Sequence, residues 1–410
     1  MREQARGAAT MGCMDATELV TLLSPEGLRL LDSLPPYQTS TDVLRMVSTL
    51  RKQGHQPALV AAVLSQAKLR SKATAKFGPF AERMLFTEAG LEQATRLRVA
   101  ALHAGRFRAA GITKVADLGC GIGGDAMALA SLDLEVTAVE RDEVTAAIAA
   151  YNLAPWPSAT VLAGEAASTD LAGIEGVYLD PARRTEGHGQ TSRITDPDDY
   201  SPSLDDAIEL VGGRAAGIKL GPGLDRERIP AAAEAQWVSV DGQVVELGLW
   251  FGAAARPDIA RSALVLSDAG TAELSAAADS ADVEVRELGE YLFEPDGAVI
   301  RARLIGDLGR GIGAGMVSDG IAYLTADAPA RSPFATCFRV LERFALDERV
   351  LKRELADREI GTLEIKKRGV DVDPATLRKR LSLRGGGSAT LFLTRVAGRH
   401  TALLAERVVA

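Results

Sequence analysis

The densest chemical signal in the sequence is the run Val115-Ala-Asp-Leu-Gly-Cys-Gly-Ile-Gly-Gly-Asp125, in which an acidic residue precedes closely spaced glycines. The apolar residues before it are typical of a buried strand, and residues 126–131 after it favour a helix. Glycines let a ligand approach the backbone closely, and a helix start offers oriented N–H groups and partial positive charge. The run therefore predicts a ligand-binding turn between a strand and a helix.

Two kinds of cofactor are compatible with this turn. Gly119, Gly121 and Gly124 satisfy the G-x-G-x-x-G pattern of dinucleotide sites. Asp117 favours another ligand, because a carboxylate at the end of the first strand suits the ammonium of a methionine group and would repel a pyrophosphate. We therefore expect S-adenosylmethionine around Asp117, Gly119, Gly121 and Gly123. A nicotinamide or flavin cofactor and a purely structural turn are the alternatives.

Two further acidic residues follow the next predicted strands. Glu140 ends the second strand, where its carboxylate can accept hydrogen bonds from both hydroxyls of a ribose, as it also could in a nicotinamide enzyme. Glu165 follows the third strand, at a position that resembles the one from which S-adenosylmethionine-binding enzymes often contact the adenine amine. A carboxylate that only stabilises a helix start is the alternative for Glu165.

The fourth predicted strand ends in the sequence Tyr-Leu-Asp-Pro-Ala-Arg-Arg at residues 178–184. Asp180-Pro181 resembles the Asp/Asn-Pro-Pro-aromatic motif of methyltransferases that modify exocyclic amines of bases. The resemblance implies that the Asp180 side chain and a backbone carbonyl orient the amine for in-line attack. The match is partial, since Ala182 replaces the second proline and Arg183 replaces the aromatic residue. Arg183 can stack on a base or pair with phosphate, or can merely solvate a loop.

Two segments upstream of this region have open interpretations. Residues 84–95 can fold back over the cofactor pocket or form a capped helix that packs on the sheet. A basic stretch before them is either a solvated helix end or a polyanion contact. It consists of Lys68, Arg70, Lys72 and Lys76.

The elements that position these residues change in type near Ile112, where helical patterns give way to β-rich runs that alternate with helices. Two later runs, 236–240 and 243–250, are joined by Asp241-Gly242 and predict a hairpin. Class I methyltransferases resemble one another in finishing the sheet with such an antiparallel hairpin, whereas nicotinamide-binding domains usually add a parallel strand. The predicted parallel strands are residues 114–118, 135–140, 159–162, 176–180 and 215–220.

The chain is long enough for several cores, and we divide it into four parts. We expect a disordered tail at residues 1–14, a helical domain at residues 15–101, and the α/β domain with its Rossmann-like sheet at residues 102–286. Residues 287–410 predict a small α+β domain. Its strands are expected at 361–369, 389–396 and 401–408, with a helix at 373–383.

The C-terminal part is locally basic although the chain carries a net charge of −8. Residues 349–407 contain fourteen Lys or Arg and seven Asp or Glu. Such clusters suit RNA phosphates, and a solvated charged face is the alternative. The candidate RNA contacts are Lys366, Lys367, Arg368, Arg378, Lys379 and Arg380.

Several other functions have no support in the sequence. The three cysteines form no paired motif, and the four histidines are isolated, so we expect neither a disulfide framework nor a metal site. There is no signal peptide and no run long enough to cross a membrane, which favours a cytoplasmic protein. Hydrolase and nucleotide-triphosphatase motifs are also missing.

Taken together, the chain resembles the bacterial class I methyltransferases that carry a THUMP-like C-terminal domain. The resemblance rests on residues 91–95, 117–124, 179–184 and 364–370, and the sheet also resembles trimethylguanosine synthase-type enzymes. THUMP domains bind RNA, so the resemblance implies an enzyme that methylates transfer or ribosomal RNA, with the exocyclic amine of guanine as first target. The alternatives are a small-molecule or protein acceptor, and a non-catalytic RNA-binding or assembly factor.

Overall fold

A computed structural model of the chain describes residues 14–35, 40–181 and 201–408, with only the backbone for 40–44. The chain forms two compact units, Met1–Lys219 with Trp250–Ala255, and Leu220–Leu249 with Arg256–Ala410. The tail predicted for residues 1–14 lies outside the described residues except for Met14, and the four-part domain division stays a prediction. No described helix combines the length and apolar character needed to cross a bilayer.

The first unit begins with short helices, as the proline-punctuated sequence predicts. The side chains of Asp15 and Ser24 cap the first two helices by accepting hydrogen bonds from backbone N–H groups, and Pro25 occupies a first-turn position. The helices are α1 (Ala16–Leu23), α2 (Pro25–Ser33), α3 (Ser40–Lys52), α4 (Pro57–Phe77), α5 (Glu88–Gln93) and α6 (Leu97–Ala109).

Five parallel strands form the sheet of the first unit in the order β3-β2-β1-β4-β5. Their sequence-predicted positions are confirmed to within one residue at either end. From β1 the sheet continues through β2 and β3 on one side and through β4 and β5 on the other. The boundary between β1 and β4 is therefore the topological switch point, where such folds bind ligands. The elements are β1 (Lys114–Leu118), α7 (Gly124–Ala130), β2 (Glu135–Glu140), α8 (Glu143–Leu153), β3 (Ala159–Ala163), β4 (Gly176–Leu179), α9 (Leu204–Val211) and β5 (Ala215–Leu220).

The hairpin predicted by Asp241-Gly242 is confirmed, and both turn residues have the positive φ that a tight hairpin turn requires. Two strands that the sequence analysis did not assign follow it, so the hairpin is not the last pair. β8 runs parallel to β6, and β9 runs antiparallel to β8. The strands are β6 (Glu234–Val240), β7 (Gln243–Phe251), β8 (Arg261–Ser267) and β9 (Gly270–Ala276).

The rest of the second unit contains a seven-stranded sheet with the order β11-β12-β10-β13-β16-β15-β14. The predicted β-α-β-β pattern is confirmed, and the helix between β14 and β15 makes them parallel neighbours. The elements are β10 (Tyr291–Pro295), α10 (Gly297–Arg301), α11 (Ile305–Ile312), β11 (Gly315–Met316), β12 (Leu324–Ala326), β13 (Ala335–Ala345), α12 (Glu348–Asp357), β14 (Ile360–Lys367), α13 (Pro374–Leu381), β15 (Gly387–Val396) and β16 (Arg399–Arg407).

Candidate functional site

The glycine-rich turn after β1 is shaped by close backbone approach on one side and open space on the other. Gly119 has a φ of 86°, and a side chain added there would lie 3.1 Å from the backbone oxygen of Asp180. Gly123 directly precedes α7 with a φ of 87°, and a side chain added there would lie 3.3 Å from Leu153 of α8. A side chain added at Gly121 would meet no described atom within 4 Å. The turn therefore packs against the end of β4 and stays open at Gly121.

Asp117 is a buried carboxylate without a hydrogen-bond partner among the described residues, for either of its oxygens. Burial raises its pKa well above the usual value, and the charges of Asp125 and Asp180 raise it further. The positive charge of Lys219 opposes this rise. A buried carboxylate left unpaired is unfavourable, so the site has the right chemistry to accept a cationic N–H donor from a ligand.

Glu140 is held against the same turn by the backbone. Its Oε2 accepts a hydrogen bond from the Gly121 N–H at 3.0 Å, and its Oε1 accepts one from the Asp142 N–H at 3.0 Å. Each carboxylate oxygen can accept a second hydrogen bond. Glu140 is therefore oriented at the turn and retains capacity for ligand hydroxyls.

Glu165 is exposed after β3, at the start of the short 3-10 turn Ala166–Ser168. Its side chain makes no capping hydrogen bond to that turn, whereas its backbone oxygen accepts bonds from Ser168 and Thr169. The geometry gives no support to the simple capping role.

Asp180 directly follows β4, and its carboxylate is paired with a buried lysine from β5. The Asp180 Oδ2 and Lys219 Nζ atoms are 2.5 Å apart, and Lys219 also donates to Thr95 Oγ1 at 2.8 Å. The side chain of Lys219 is 5% exposed and that of Asp180 is 23% exposed. Pro181 is buried, and the predicted contact Arg183 lies outside the described residues. The carboxylate is thus fixed on one side and accessible on the other.

A second buried polar group consists of His103, Asp125 and Tyr178. The sequence did not predict this group, because His103 is isolated in the sequence. The Nδ1 atom of His103 is 2.9 Å from Asp125 Oδ1 and 2.9 Å from the Tyr178 hydroxyl. Although burial raises the pKa of Asp125, hydrogen bonds from His103 and Thr95 and the charges of His103 and Lys219 hold it below its usual value. Thr95 therefore links this group to Lys219.

The segment 84–95 forms the predicted capped helix and contacts the glycine-rich turn. It contains α5, which Thr87 caps by accepting a hydrogen bond from the Gly90 N–H, and Gly90 packs on Ile122 of the glycine-rich turn. The amide of Asn152 bonds both backbone groups of Leu85 and donates to the Ile122 oxygen at 2.9 Å. Asn152, near the end of α8, therefore ties this segment to the turn.

The basic stretch of α4 is neither a simple solvated end nor a free polyanion contact. Arg70 donates to the Met84 oxygen at 2.9 Å, and Lys72 approaches Glu88 at 3.4 Å. Lys76 Nζ donates to the backbone oxygens at the end of α5, namely those of Leu91, Glu92 and Ala94. These side chains hold the segment 84–95, whereas Lys68 is exposed.

The predicted RNA contacts on β14 do not lie on one face, because side chains alternate along a strand. Lys366 is 20% exposed and pairs with Glu294 at 2.7 Å and Glu364 at 3.2 Å. Arg368 lies over the Tyr323 ring at 4.9 Å, whereas Lys367 is exposed. The sequence cluster is therefore divided between two faces.

The predicted contacts on α13 lie together on its exposed surface. Arg378 donates to the Leu363 backbone oxygen at 3.3 Å, and Arg380 approaches Glu348 at 3.4 Å. Hydrogen bonds from Thr376 lower the pKa of Asp373, and the positive charges of Lys367 and Lys379 lower it further. Within the described ranges, no group of His, Cys, Asp or Glu side chains is arranged to hold a metal ion.

Comparisons with known proteins agree with this architecture. Residues 335–407 match the THUMP domain-like family, and residues 15–73 match a domain of unknown function, DUF8688. A crystal structure from Porphyromonas gingivalis W83, described as a methyltransferase, has a TM-score of 0.69 and 21% identity, covering 91% of this chain and 100% of its own. This likeness shows the fold.

The family follows from two curated relatives in Mycobacterium tuberculosis, from strains CDC 1551 / Oshkosh and ATCC 25618 / H37Rv. Each is named an uncharacterized S-adenosylmethionine-dependent methyltransferase and is 35% identical over 336 residues, which is 80% of this chain and 90% of the relative. The cofactor predicted from the glycine-rich turn is thereby confirmed. The chain belongs to the S-adenosylmethionine-dependent methyltransferases.

Proposed function

We propose that this methyltransferase acts on a base in structured transfer or ribosomal RNA, with the exocyclic amine of guanine as its first target. The observation that carries the proposal is the position of Asp180-Pro181. The backbone oxygen of Asp180 lies against Gly119 of the cofactor turn, and its carboxylate is partly exposed. An acceptor amine held by Asp180 would therefore lie next to the cofactor site.

The proposed cofactor contacts follow from the geometry of the turn. Asp117 would accept hydrogen bonds from the ammonium of the cofactor, while Gly119, Gly121 and Gly123 let it lie along the backbone. The bound cofactor supplies an electrophilic methyl group on a sulfonium. Glu140 would accept hydrogen bonds from the ribose hydroxyls, and Glu165 is the proposed contact of the adenine amine.

The proposed role of Asp180 uses the oxygen that faces away from Lys219. Oδ2 is bonded to the lysine, and no described residue bonds Oδ1. Oδ1 would accept an N–H of the acceptor amine and direct the nitrogen lone pair toward the methyl group. Buried Pro181 would keep the Asp180 backbone against the turn. Arg183 remains a proposed contact of the base or its phosphate.

The proposal of an RNA acceptor is supported by the THUMP-like match and by the exposed basic residues in the same part of the chain. Positive side chains that approach phosphates give binding that weakens with salt. The exposed candidates are Lys367, Arg378, Lys379 and Arg380, whereas Lys366 and Arg368 already have partners and are expected to contribute less.

The test is methylation of total bacterial RNA with radiolabelled S-adenosylmethionine, followed by nucleoside analysis. We expect label in a methylated guanine and a loss of about 100-fold in rate for Asp180→Ala. Asp205→Ala is the control, because Asp205 is an exposed residue in the first turn of α9. Label found only in protein or small molecules, or a rate unaffected by Asp180→Ala, would reject the proposal.

A further inference from the structure

Lys219 is the charged residue in a strand whose six residues are all buried. Its Nζ atom donates to Asp180 and Thr95 and lies 3.5 Å from the Gln93 oxygen. A buried ammonium is unfavourable unless counter-charges and hydrogen bonds surround it. The burial of Lys219 among these partners therefore indicates an electrostatic role.

Charged groups from several elements surround Lys219 near the carboxyl end of β1. The acidic groups are Asp117 on β1, Asp125 on α7 and Asp180 after β4, all of which interact with Lys219 or with one another. The basic groups are Lys219, His103 on α6 and Lys76 on α4, with Arg96 and Glu92 near Lys76.

Two of the basic groups already have other partners. His103 is paired with Asp125, and Lys76 donates to three backbone oxygens of the segment 84–95. Burial, together with the charges of Lys219 and Arg96, lowers the pKa of Lys76 to about 8. Lys219 forms the ion pair with Asp180, and its charge also acts on Asp117.

We infer that Lys219 is a positioning residue that supplies the counter-charge for both carboxylates of the site, holding Asp180 by an ion pair and keeping Asp117 ionised for the cofactor's ammonium. The inference rests on the proposed roles of Asp117 and Asp180. It adds that a single lysine from β5 couples the cofactor side of the site to the acceptor side.

The expected consequence is a pH dependence with a defined sign. Asp117 binds an ammonium only when it is ionised, so affinity is present above its pKa and is lost as the pH falls through that pKa. Lys219 opposes the rise in the pKa of Asp117. Its removal would therefore move the loss of affinity to a higher pH. A shift of one pKa unit corresponds to about a tenfold change in affinity where the group titrates.

The experiment is calorimetric binding of S-adenosylhomocysteine as a function of pH, since this ligand carries the same ammonium and needs no RNA. We expect Lys219→Met to bind about tenfold more weakly near neutral pH, with its midpoint shifted upward. Lys219→Arg should keep most of the affinity. Lys114→Met is the control, because Lys114 is half-exposed at the opposite end of β1 and pairs with Glu135.

A double variant keeps the inference testable if Lys219→Met does not fold. Asp180→Asn combined with Lys219→Met removes both charges of the pair. The double variant should therefore be more stable than Lys219→Met and bind S-adenosylhomocysteine more tightly. Where Lys219→Met does not fold, the double variant is compared with the wild type, and the pH midpoint of its binding should differ by less than one unit. A folded Lys219→Met with wild-type affinity and midpoint would overturn the inference. So would a double variant that gains neither stability nor affinity over Lys219→Met.

The outcome is separable from that of the proposed function. A shifted midpoint in a protein that labels no RNA would support the role of Lys219 and reject the RNA acceptor. RNA labelling by a Lys219→Met variant with wild-type binding would do the opposite.

Discussion

The cofactor turn and the basic C-terminal surface were both read from clusters of residues in the sequence, yet they behave differently in three dimensions. At the turn, Asp117 and Asp180 are far apart in sequence and come together because β1 and β4 are parallel neighbours. On β14, Lys366 and Lys367 are adjacent in sequence and separate onto opposite faces. Residues at the ends of parallel strands converge, whereas neighbours along one strand diverge.

The largest effect in this comparison is expected for the buried pair of His103 and Asp125, of which Asp125 lies in the first turn of α7. His103→Phe should destabilise the protein by about 3 kcal/mol, because it leaves the buried Asp125 carboxylate without its imidazole partner. Urea unfolding at neutral pH measures the free energy of unfolding. Exposed His400 provides the control, and His400→Phe should change it by less than about 0.5 kcal/mol.

The same variant should show a pH dependence. The pKa of Asp125 lies below its usual value in the folded protein, so its stabilisation is present above the unfolded pKa and is lost as the pH falls through the folded one. The difference between wild type and His103→Phe should therefore shrink in acid. A difference that stays constant would show that ring packing, and not charge, stabilises this position.

A smaller effect is expected where α4 holds the segment over the turn. Gln66 donates to the Phe86 oxygen at 2.7 Å and accepts from the Phe86 N–H at 3.0 Å. Gln66→Leu leaves both backbone groups buried and unpaired, which should cost about 2 kcal/mol of stability and weaken S-adenosylhomocysteine binding. Thermal unfolding and calorimetry measure the two effects. Gln53→Leu, at an exposed position after α3, should change neither.

The smallest effect is expected on the basic surface, where it sharpens the contrast between the two lysines of β14. Lys367→Ala should lower the salt dependence of RNA binding by about one unit of log–log slope without loss of stability. Lys366→Ala should instead destabilise the domain, because Glu294 loses its ion-pair partner. Filter binding at several salt concentrations measures the slope. Equal slopes for the two variants would mean that the face of the strand does not decide RNA contact.

Much of the fold was predictable because its signals are local. Apolar runs that end at a glycine or an acidic residue located the five parallel strands, and Asp241-Gly242 located the hairpin. Strand β9 was missed because its residues are exposed or only partly buried, so no strong apolar pattern marks it. The buried apolar run of β8 was also overlooked. Strands β11 and β12 were missed because they span only two and three residues.

Part of the candidate site was predictable, because Asp117, Glu140 and Asp180 each lie at the end of a predicted strand. Its supporting partners were not predictable, because Gln66, His103 and Asn152 reach the site only through tertiary packing. One signal was present and overlooked. Lys219 is a charged residue inside an otherwise apolar predicted strand, and such a residue requires a buried partner.

The central claim is that Asp117 anchors the ammonium of the cofactor, and its most direct test is calorimetry with S-adenosylhomocysteine on Asp117→Asn. Exposed Asp133, changed to Asn, is the matched control. We predict a loss of affinity of about 100-fold for Asp117→Asn, since a hydrogen bond to a charged group is worth about 1.5–3 kcal/mol, and no loss for the control. Wild-type affinity in folded Asp117→Asn would contradict the claim.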